Sequence, residues 1–239
     1  MSIAIVETLQ TVGRVEPNLL SARFGAQYRR EPWRGYSDGT AIALQAIIDG
    51  SPYEEAATAY YPEGSRGNGA AMRAGPIGAF FAATPELIAR EAHLSALPTH
   101  AHQDAIDGAV AVALAAGFAA IHHDEGVQPG ALLRWVGDHL RAGVVRDRVA
   151  IASSLGAAKP ADAAQLLGSG QEVLAKDTVP FALWAADAHL DSYTDAIWAT
   201  VEGRGDLDTT CAIVGGIVAV SVGFEGLPTT WLARREPLR

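Results

Sequence analysis

A short acidic segment, residues 205–210, stands directly before an apolar run that starts at Cys211. Carboxylates two residues apart cannot share one face of a helix, but Asp206 and Asp208 can converge in the turn that precedes a helix. With the hydroxyl of Thr209 they form an acidic cluster of oxygen atoms that suits a hard divalent cation. The alternative is a plain N-cap by Asp208 or Thr209, and taken alone the short pattern favours that interpretation.

A glycine loop, residues 64–69, has the sequence Gly-Ser-Arg-Gly-Asn-Gly and precedes another apolar stretch. Glycine lets backbone N–H groups approach an anion closely, and the N-terminal end of a following helix adds a favourable dipole. The loop could therefore hold a phosphate group. An ordinary glycine-rich turn explains the pattern at least as well.

Two histidines, His100 and His102, stand ahead of an apolar run that begins at Gly108. Their spacing lacks the i, i+4 separation of a helical zinc site, and no cysteine or carboxylate pattern completes such a site. His100 could still donate a hydrogen bond to a ligand. Helix capping, or a hydrogen-bonded position in the core, is the alternative for it.

Charge and cysteine content restrict the classes of partner. The 27 acidic and 18 basic residues give a net charge of -9, and no Lys/Arg cluster reverses it locally, which argues against nucleic acid. The single cysteine, Cys211, excludes an intramolecular disulfide, and no signal-peptide pattern opens the sequence, so a cytoplasmic location is expected. The longest uncharged apolar runs, 108–121 and 211–224, are too short to cross a bilayer. We expect core helices there and no membrane association.

The elements that position these groups are predicted to be helices, because apolar residues recur at helical spacing in nearly every segment. Strand-like alternation is almost absent, so we predict an all-α fold in one domain, residues 1–239. Thr84-Pro85 and Lys159-Pro160 mark two helix starts. The predicted helices span 2–11, 17–29, 38–49, 53–59, 69–81, 85–95, 102–121, 128–142, 146–156, 160–167, 178–189, 191–202 and 208–223.

Taken in this order, the segments resemble the ADP-ribosylglycohydrolase family, which includes the enzyme that reactivates ADP-ribosylated dinitrogenase reductase. The likeness extends over essentially the whole chain and is greatest to the branch that includes hydrolases of serine-linked ADP-ribose. The matching segments are Arg34-Gly35-Tyr36, Gly64-Ser65, residues 67–73, Thr99-His100, Gly168-Ser169-Gly170, Val179-Pro180, Gly205-Asp206, Asp208-Thr209, Gly215-Gly216 and Leu227-Pro228 with Trp231. Several of these segments are weak evidence when taken alone. The resemblance rests on their occurrence together in this order.

The resemblance implies a compact orthogonal multi-helix ADP-ribosylglycohydrolase fold, with a cleft that holds two Mg ions beside the distal ribose of ADP-ribose. It implies that Asp206, Asp208 and Thr209 are metal ligands. The residues around the diphosphate would be Gly64, Ser65, Gly67, Asn68 and Gly69. Arg66 stands where the close branch usually has an aromatic residue, and its guanidinium could pair with phosphate. The other residues that enclose the ligand would be Gly35, Tyr60, His100, Gly168, Ser169 and Gly170.

The family pattern also has a Gly-Asp segment and a Thr-Asp-Asp-Thr motif, directly ahead of a helix that residues 2–9 resemble. We expect these metal ligands, and the acidic catalytic residue, to lie upstream of Met1. A rival alignment takes residues 37–40, Ser-Asp-Gly-Thr, as a degenerate form of the motif. It replaces one carboxylate with glycine and leaves the match at residues 34–36 unexplained, so we prefer the first alignment.

The expected function is Mg-dependent hydrolysis of the glycosidic bond in ADP-ribosylated proteins or small molecules, with release of ADP-ribose. The acidic cluster alone offers few ligands to Mg, so the activity of this chain should be impaired. The alternatives are an inactive module that binds ADP-ribose or a related nucleotide, and a structural protein, since related sequences serve as lens crystallins. The sequence has its fewest recognisable motifs on the side of the cleft that would hold the acceptor. It therefore does not indicate which ADP-ribose linkage is cleaved.

Overall fold

In the computed structural model, which describes residues 1–123 and 126–237, nearly every element is a helix. The described residues form fourteen α-helices and two short 3-10 helices. The one β-type pairing among them is an isolated bridge between Gly67 and Leu174. The all-α prediction is therefore confirmed. The predicted domain range, 1–239, includes residues 124–125 and 238–239, which lie outside the described part of the chain.

Short connections join the helices in chain order. The α-helices are α1 (Ser2–Val12), α2 (Pro17–Arg30), α3 (Asp38–Ile48), α4 (Tyr53–Ala56), α5 (Gly75–Phe80), α6 (Pro85–Ala96), α7 (Gln103–Ile121), α8 (Ala131–His139), α9 (Val144–Ser154), α10 (Pro160–Leu167), α11 (Ala175–Ala188), α12 (Tyr193–Glu202), α13 (Leu207–Val222) and α14 (Thr229–Leu232). The 3-10 helices are Ala71–Arg73 and Phe224–Gly226.

Helix α7 lies at the centre of the core, and nearly all of its side chains are buried. Small residues let its neighbours approach closely: an added Cβ on Gly78 of α5 would collide with the carbonyl oxygen of Ala113. With 19 residues and a mean hydropathy of 1.7, α7 is long and apolar enough to span a membrane, yet 83% of that stretch is buried inside the protein. Helix α7 is therefore a core helix, as predicted. It is longer than the uncharged apolar run 108–121 because it begins at Gln103.

Proline marks helix starts where the sequence predicted them. Helix α6 begins at Pro85 with Thr84 as its N-cap, and α10 begins at Pro160 after Lys159. Proline is tolerated in a first turn because its missing N–H would have no partner inside the helix. The boundaries of these two helices are therefore set by local chemistry.

Three predicted helices are interrupted or shortened, and one of them, 128–142, is helical only over α8, Ala131–His139. The segment 69–81 is divided into the 3-10 helix Ala71–Arg73 and the separate helix α5. Pro76, in the first turn of α5, has no N–H to continue a helical ladder from the preceding turn, which explains the division. The segment 53–59 is helical only to Ala56.

The ends of several elements meet on one side of the protein. They are the start of α13, the end of α2, the start of α3 and the glycine loop that leads into the 3-10 helix Ala71–Arg73. Helix α13 packs against α7, α11 and α12, and the 3-10 helix packs against both α7 and α13. This packing brings the acidic cluster to the glycine loop.

Candidate active site

A cleft of about 660 Å³ opens where these element ends meet. Pockets for small ligands typically measure roughly 300–1,000 Å³, so the cleft has room for one. Nine residues predicted as site residues line it: Gly35, Ser65, Gly67, Asn68, Gly69, His100, Asp206, Asp208 and Thr209. The acidic cluster, part of the glycine loop and one histidine therefore share a single cleft.

The acidic cluster sits at the N-terminal end of α13. Asp206 is the N-cap, and its Oδ1 accepts a hydrogen bond from the backbone N–H of Thr209 at 3.4 Å. Asp208 lies in the first turn, where a hydrogen bond with Asp206 raises the pKa of the Asp208 carboxyl, and partial burial and the charge of Asp206 add to the rise. The cap is thus Asp206, and not Asp208 or Thr209 as the alternative interpretation had it. The two carboxylates converge as the cation hypothesis requires.

Asn68 connects the glycine loop to the acidic cluster. Its side-chain nitrogen donates to Oδ2 of Asp206 at 2.8 Å and to the hydroxyl of Thr178 at 2.9 Å. Its backbone N–H donates to the carbonyl oxygen of Val173 at 3.1 Å. All hydrogen-bond donors of Asn68 are therefore used inside the protein, so this residue orients Asp206 and has no N–H left for a diphosphate.

The glycine loop presents two of its glycines to the cleft beside His100. Neither Gly67 nor Gly69 has a positive φ, so their requirement is space and not an unusual backbone conformation. A Cβ on Gly67 would lie 3.3 Å from Nε2 of His100, and one on Gly69 would lie 3.1 Å from the same atom. Ser65 accepts a hydrogen bond from Gly67 N–H at 3.1 Å. Side chains larger than hydrogen at these glycines would press on the imidazole.

Gly64 has a packing role and does not line the cleft. It is buried with a φ of 83°, and a Cβ there would lie 2.7 Å from the carbonyl carbon of Ala101 and collide with the backbone nitrogen of His102. The left-handed backbone and the close neighbour both demand glycine at this position. The prediction that Gly64 contacts the diphosphate therefore gains no support from the geometry.

His100 is buried at one wall of the cleft next to a buried cation. Its Nδ1 lies 2.7 Å from the hydroxyl oxygen of Thr99, and that oxygen accepts a hydrogen bond of 2.8 Å from Nη2 of Arg73. Burial, and then the positive charge of Arg73, lower the pKa of His100 to about 3. The imidazole is therefore neutral at physiological pH.

Arg73 is the functional candidate that the sequence analysis missed. Its side chain is fully buried, donates to the carbonyl oxygen of Ser95 at 2.9 Å, and lies 4.6 Å from the centre of the Phe24 ring. Burial lowers the pKa of Arg73 to about 9, and no described carboxylate forms an ion pair with it. The sequence feature that could have pointed to Arg73 is its position among the small apolar residues Ala70, Ala71 and Ala74. Burying a cation without a paired anion costs free energy, so a buried arginine of this kind is a candidate for a functional role.

Two predicted ligand residues point elsewhere. Tyr60 is 46% exposed and packs edge-on against Tyr61, with ring centres 4.7 Å apart. Arg66 is paired with Glu63 at 3.4 Å on the surface. Neither lines the cleft among the described residues, so neither contacts a ligand there without a movement of the loop.

The loop Gly168-Ser169-Gly170 supports the acidic cluster from behind and does not enclose the cleft. The carbonyl oxygen of Ser169 accepts a hydrogen bond from the backbone N–H of Asp206 at 2.9 Å. Gly170 has a φ of 88°, and a Cβ there would lie 2.6 Å from Cβ of Asp206. Gly168 and Ser169 line a second cavity of about 690 Å³ instead. The predicted enclosing role becomes a packing role.

The rim of the cleft contains groups that were not predicted as ligand-binding or metal-binding residues. Arg34 donates from Nη1 to Glu236 at 2.7 Å, and both residues line the cleft beside Gly35. Ser37 caps α3 by accepting from the backbone N–H of Thr40 at 3.4 Å. Of the rival alignment, Ser37 and Thr40 line the cleft, whereas Asp38, its one carboxylate, is absent from the lining.

Comparison with family models decides the classification, because the model described as ADP-ribosylglycohydrolase matches residues 1–238. The chain belongs to the ADP-ribosylglycohydrolase family. The resemblance drawn from the sequence is confirmed, and so is the predicted class of enzyme, a hydrolase of glycosidic bonds.

Named relatives of this ADP-ribosylglycohydrolase family member match most of the chain. ADP-ribosylhydrolase ARH3 of Mus musculus is 24% identical over 267 residues, which cover 97% of this chain and 70% of that protein. ADP-ribosylhydrolase ARH3 of Homo sapiens is also 24% identical, with 97% and 71% covered. An uncharacterized protein of Archaeoglobus fulgidus is 32% identical over 166 residues, which cover 69% of this chain and 52% of that protein.

A solved structure has the same fold. The chain is similar to one described as an ADP-ribosylglycohydrolase-related protein complex, with a TM-score of 0.71 and 23% identity. The match covers 97% of this chain and 72% of that chain. The predicted ADP-ribosylglycohydrolase fold is therefore confirmed.

Proposed function

We propose that this chain binds the ADP-ribose part of an ADP-ribosylated protein or small molecule in the cleft and hydrolyses the glycosidic bond to the acceptor. The observation that carries the proposal is the single cleft in which the acidic cluster, the glycine loop and His100 meet. Family membership and the ARH3 relatives support the same chemistry.

In the proposed complex, the diphosphate lies along the glycine loop. Gly69 lines the cleft, and its backbone N–H has no acceptor among the described residues. Ser65 accepts a hydrogen bond from Gly67, which leaves the hydroxyl proton of Ser65 available for donation. Backbone and hydroxyl donors of this kind bind phosphate oxygens, and the neighbouring start of a helical turn adds to the attraction.

We propose further that the acidic cluster holds Mg, and its donor set fits that ion. Two carboxylates and a hydroxyl are oxygen ligands of the type Mg prefers. The pKa of Asp208 is raised first by its hydrogen bond with Asp206, then by partial burial and by the negative charge of Asp206, and a bound cation would offset that charge. No group of three or more His, Cys, Asp or Glu side chains in the described ranges could hold a metal, so water and substrate oxygens would complete the coordination. When bound, Mg supplies orientation of the ribose hydroxyls and activation of water.

The chain itself offers carboxylate oxygens that could stabilise the transition state. Cleavage of a glycosidic bond passes through a transition state with positive charge on the sugar ring, and nearby carboxylate oxygens stabilise that charge. Asp206 is held in place for this purpose by Asn68 and by the first turn of α13. The acceptor leaves on the open side of the cleft, where the described residues do not specify its chemistry.

Two measurements test the proposal together. Calorimetry with ADP-ribose, with and without Mg, measures binding, and release of ADP-ribose from serine-linked and arginine-linked substrates across a Mg titration measures hydrolysis. Binding with release that rises with Mg is the expected result, at a low rate because the acidic cluster offers few protein ligands. Absence of ADP-ribose binding would refute the proposal.

A second function, ADP-ribose binding without hydrolysis, has one observation in its favour. The acidic cluster contains two carboxylates, and no third acidic, His or Cys side chain joins them in the described part of the chain. Calorimetric binding combined with no ADP-ribose release at any Mg concentration would establish this function in place of hydrolysis.

A further inference from the structure

We propose that Arg73 and Thr99 act as positioning residues that fix the tautomer of His100, so that Nε2–H faces the cleft as a donor to an anionic oxygen of the ligand. The identity of that ligand, the diphosphate of ADP-ribose, rests on the proposed function. The tautomer itself rests on the contacts of the three residues alone.

The direction of the first hydrogen bond is set by the guanidinium of Arg73. A guanidinium has donors and no acceptor, so the contact of 2.8 Å between Nη2 and Thr99 makes the threonine oxygen the acceptor. Arg73 cannot turn away, because Nη2 also donates to Ser95 O at 2.9 Å and the plane lies over Phe24.

The second hydrogen bond follows from the single proton of the Thr99 hydroxyl. Thr99 is buried, and the one other hydrogen-bond contact of its hydroxyl oxygen among the described residues is with Nδ1 of His100, at 2.7 Å. A buried hydroxyl proton without an acceptor is costly, so the hydroxyl donates to Nδ1. Nδ1 is therefore the unprotonated nitrogen.

The remaining proton of the ring must then lie on Nε2. Burial and the charge of Arg73 lower the pKa of His100 to about 3, so the neutral ring carries one proton at physiological pH. A neutral imidazole whose Nδ1 accepts has its proton on Nε2. The chain of bonds from Arg73 through Thr99 thus selects one tautomer.

Nε2 faces the part of the cleft where an anion is expected. It lies against Gly67 and Gly69, and no described residue accepts a hydrogen bond from it. Gly69 lies beside the ring, and its backbone N–H has no acceptor among the described residues. The charge of Arg73, which has no paired carboxylate among the described residues, lies behind Thr99 in the chain of hydrogen bonds. The opposite tautomer would direct a lone pair at the same place and repel a phosphate oxygen.

The first test measures the tautomer directly. In protein with ¹⁵N-labelled histidine, the ring nitrogens of His100, assigned by comparison with His100→Gln, should show a protonated Nε2 and an unprotonated Nδ1. Thr99→Val, which keeps the shape and removes the hydroxyl, should lose this pattern, and Thr99→Ser should restore it. A protonated Nδ1 in the wild type, or an unchanged pattern in Thr99→Val, would overturn the proposal.

The second test measures the consequence for the ligand by calorimetry with ADP-ribose. Thr99→Val should bind about tenfold more weakly than the wild type, and Thr99→Ser should recover most of the loss. Thr11→Val, a change at an exposed threonine of α1, controls for the substitution itself. Equal affinities of Thr99→Val and Thr99→Ser would overturn the role in ligand binding.

The two tests separate failure of this proposal from failure of the proposed function. If the wild type does not bind ADP-ribose, the proposed function is rejected, and the ¹⁵N pattern alone decides the role of Arg73 and Thr99. If Thr99→Val does not fold, Thr99→Ala removes the same hydroxyl with less crowding and takes its place in both tests.

Discussion

The side-chain amide of Asn68 donates a hydrogen bond of 2.8 Å to Oδ2 of Asp206, and this bond joins the glycine loop to the acidic cluster. The second hydrogen of the same amide is used by Thr178, and Oδ1 of Asp206 accepts from the backbone of Thr209. Both carboxylate oxygens of Asp206 are therefore oriented by the protein itself. Preorganised oxygens of this kind are what a metal or a developing positive charge requires.

Asn68→Ala should reduce the free energy of unfolding by about 1–3 kcal/mol, because it leaves buried hydrogen-bond partners unpaired. It should also weaken any effect of Mg on ADP-ribose binding, since Asp206 loses its orientation. Urea unfolding and calorimetry measure the two effects. Asn18→Ala, at an exposed position of α2, should stay within about 0.5 kcal/mol of the wild type. Equal stability of the two variants would refute the structural role of Asn68.

Asp208→Asn should abolish the stabilisation of the protein by Mg, because it removes a negative charge and keeps the shape of the side chain. In the wild type, Mg at ten times its Kd should add about 1.4 kcal/mol to the free energy of unfolding. Thermal unfolding across a Mg titration measures this. Asp162→Asn, an exposed acidic residue in the first turn of α10, is the matched control. A normal Mg response of Asp208→Asn would mean that Asp208 is not a ligand.

Gly69→Ala should weaken ADP-ribose binding by about tenfold, since the new methyl would press on His100 at 3.1 Å and displace the imidazole at the wall of the cleft. Gly137→Ala is the control, because nothing lies within 4 Å of a Cβ at that position in α8. Its affinity should equal that of the wild type. Calorimetry on both variants decides the matter, and unchanged affinity of Gly69→Ala would return the glycine loop to an ordinary turn.

His100 should make the protein sensitive to acid. The folded-state pKa of about 3 is below the unfolded value of about 6.5, so the unfolded state binds more protons between these values, and stability falls as pH falls below about 6.5. Relative to His100→Gln, the wild type should lose about 2 kcal/mol between about pH 7 and pH 5.

Urea unfolding at several pH values measures this difference. His93→Gln, at an exposed histidine of α6, should keep the wild-type pH dependence. Parallel curves for the wild type and His100→Gln would show that the pKa of His100 is close to its ordinary value in the folded protein.

Local features of the fold were predictable from the sequence because their causes lie within one or two helical turns. The starts of α6 and α10 depend on a proline in the first turn, and the core position of α7 follows from its uninterrupted small and apolar residues. The acidic cluster was also predictable, since Asp206 and Asp208 are neighbours in the chain and precede a helix.

The hydrogen-bond partners of the residues at the site were determined only by the tertiary structure. Asn68 and Asp206 are 138 residues apart, and Arg73 and Thr99 are 26 apart, so no local pattern reveals either contact. The packing of α13 and the 3-10 helix around α7 brings these segments together. The sequence by itself determined the helices, the family and the chemical types at the site. The folded chain decided which glycines face the cleft, which support it from behind, and which cation lies buried beside His100, because those depend on long-range packing.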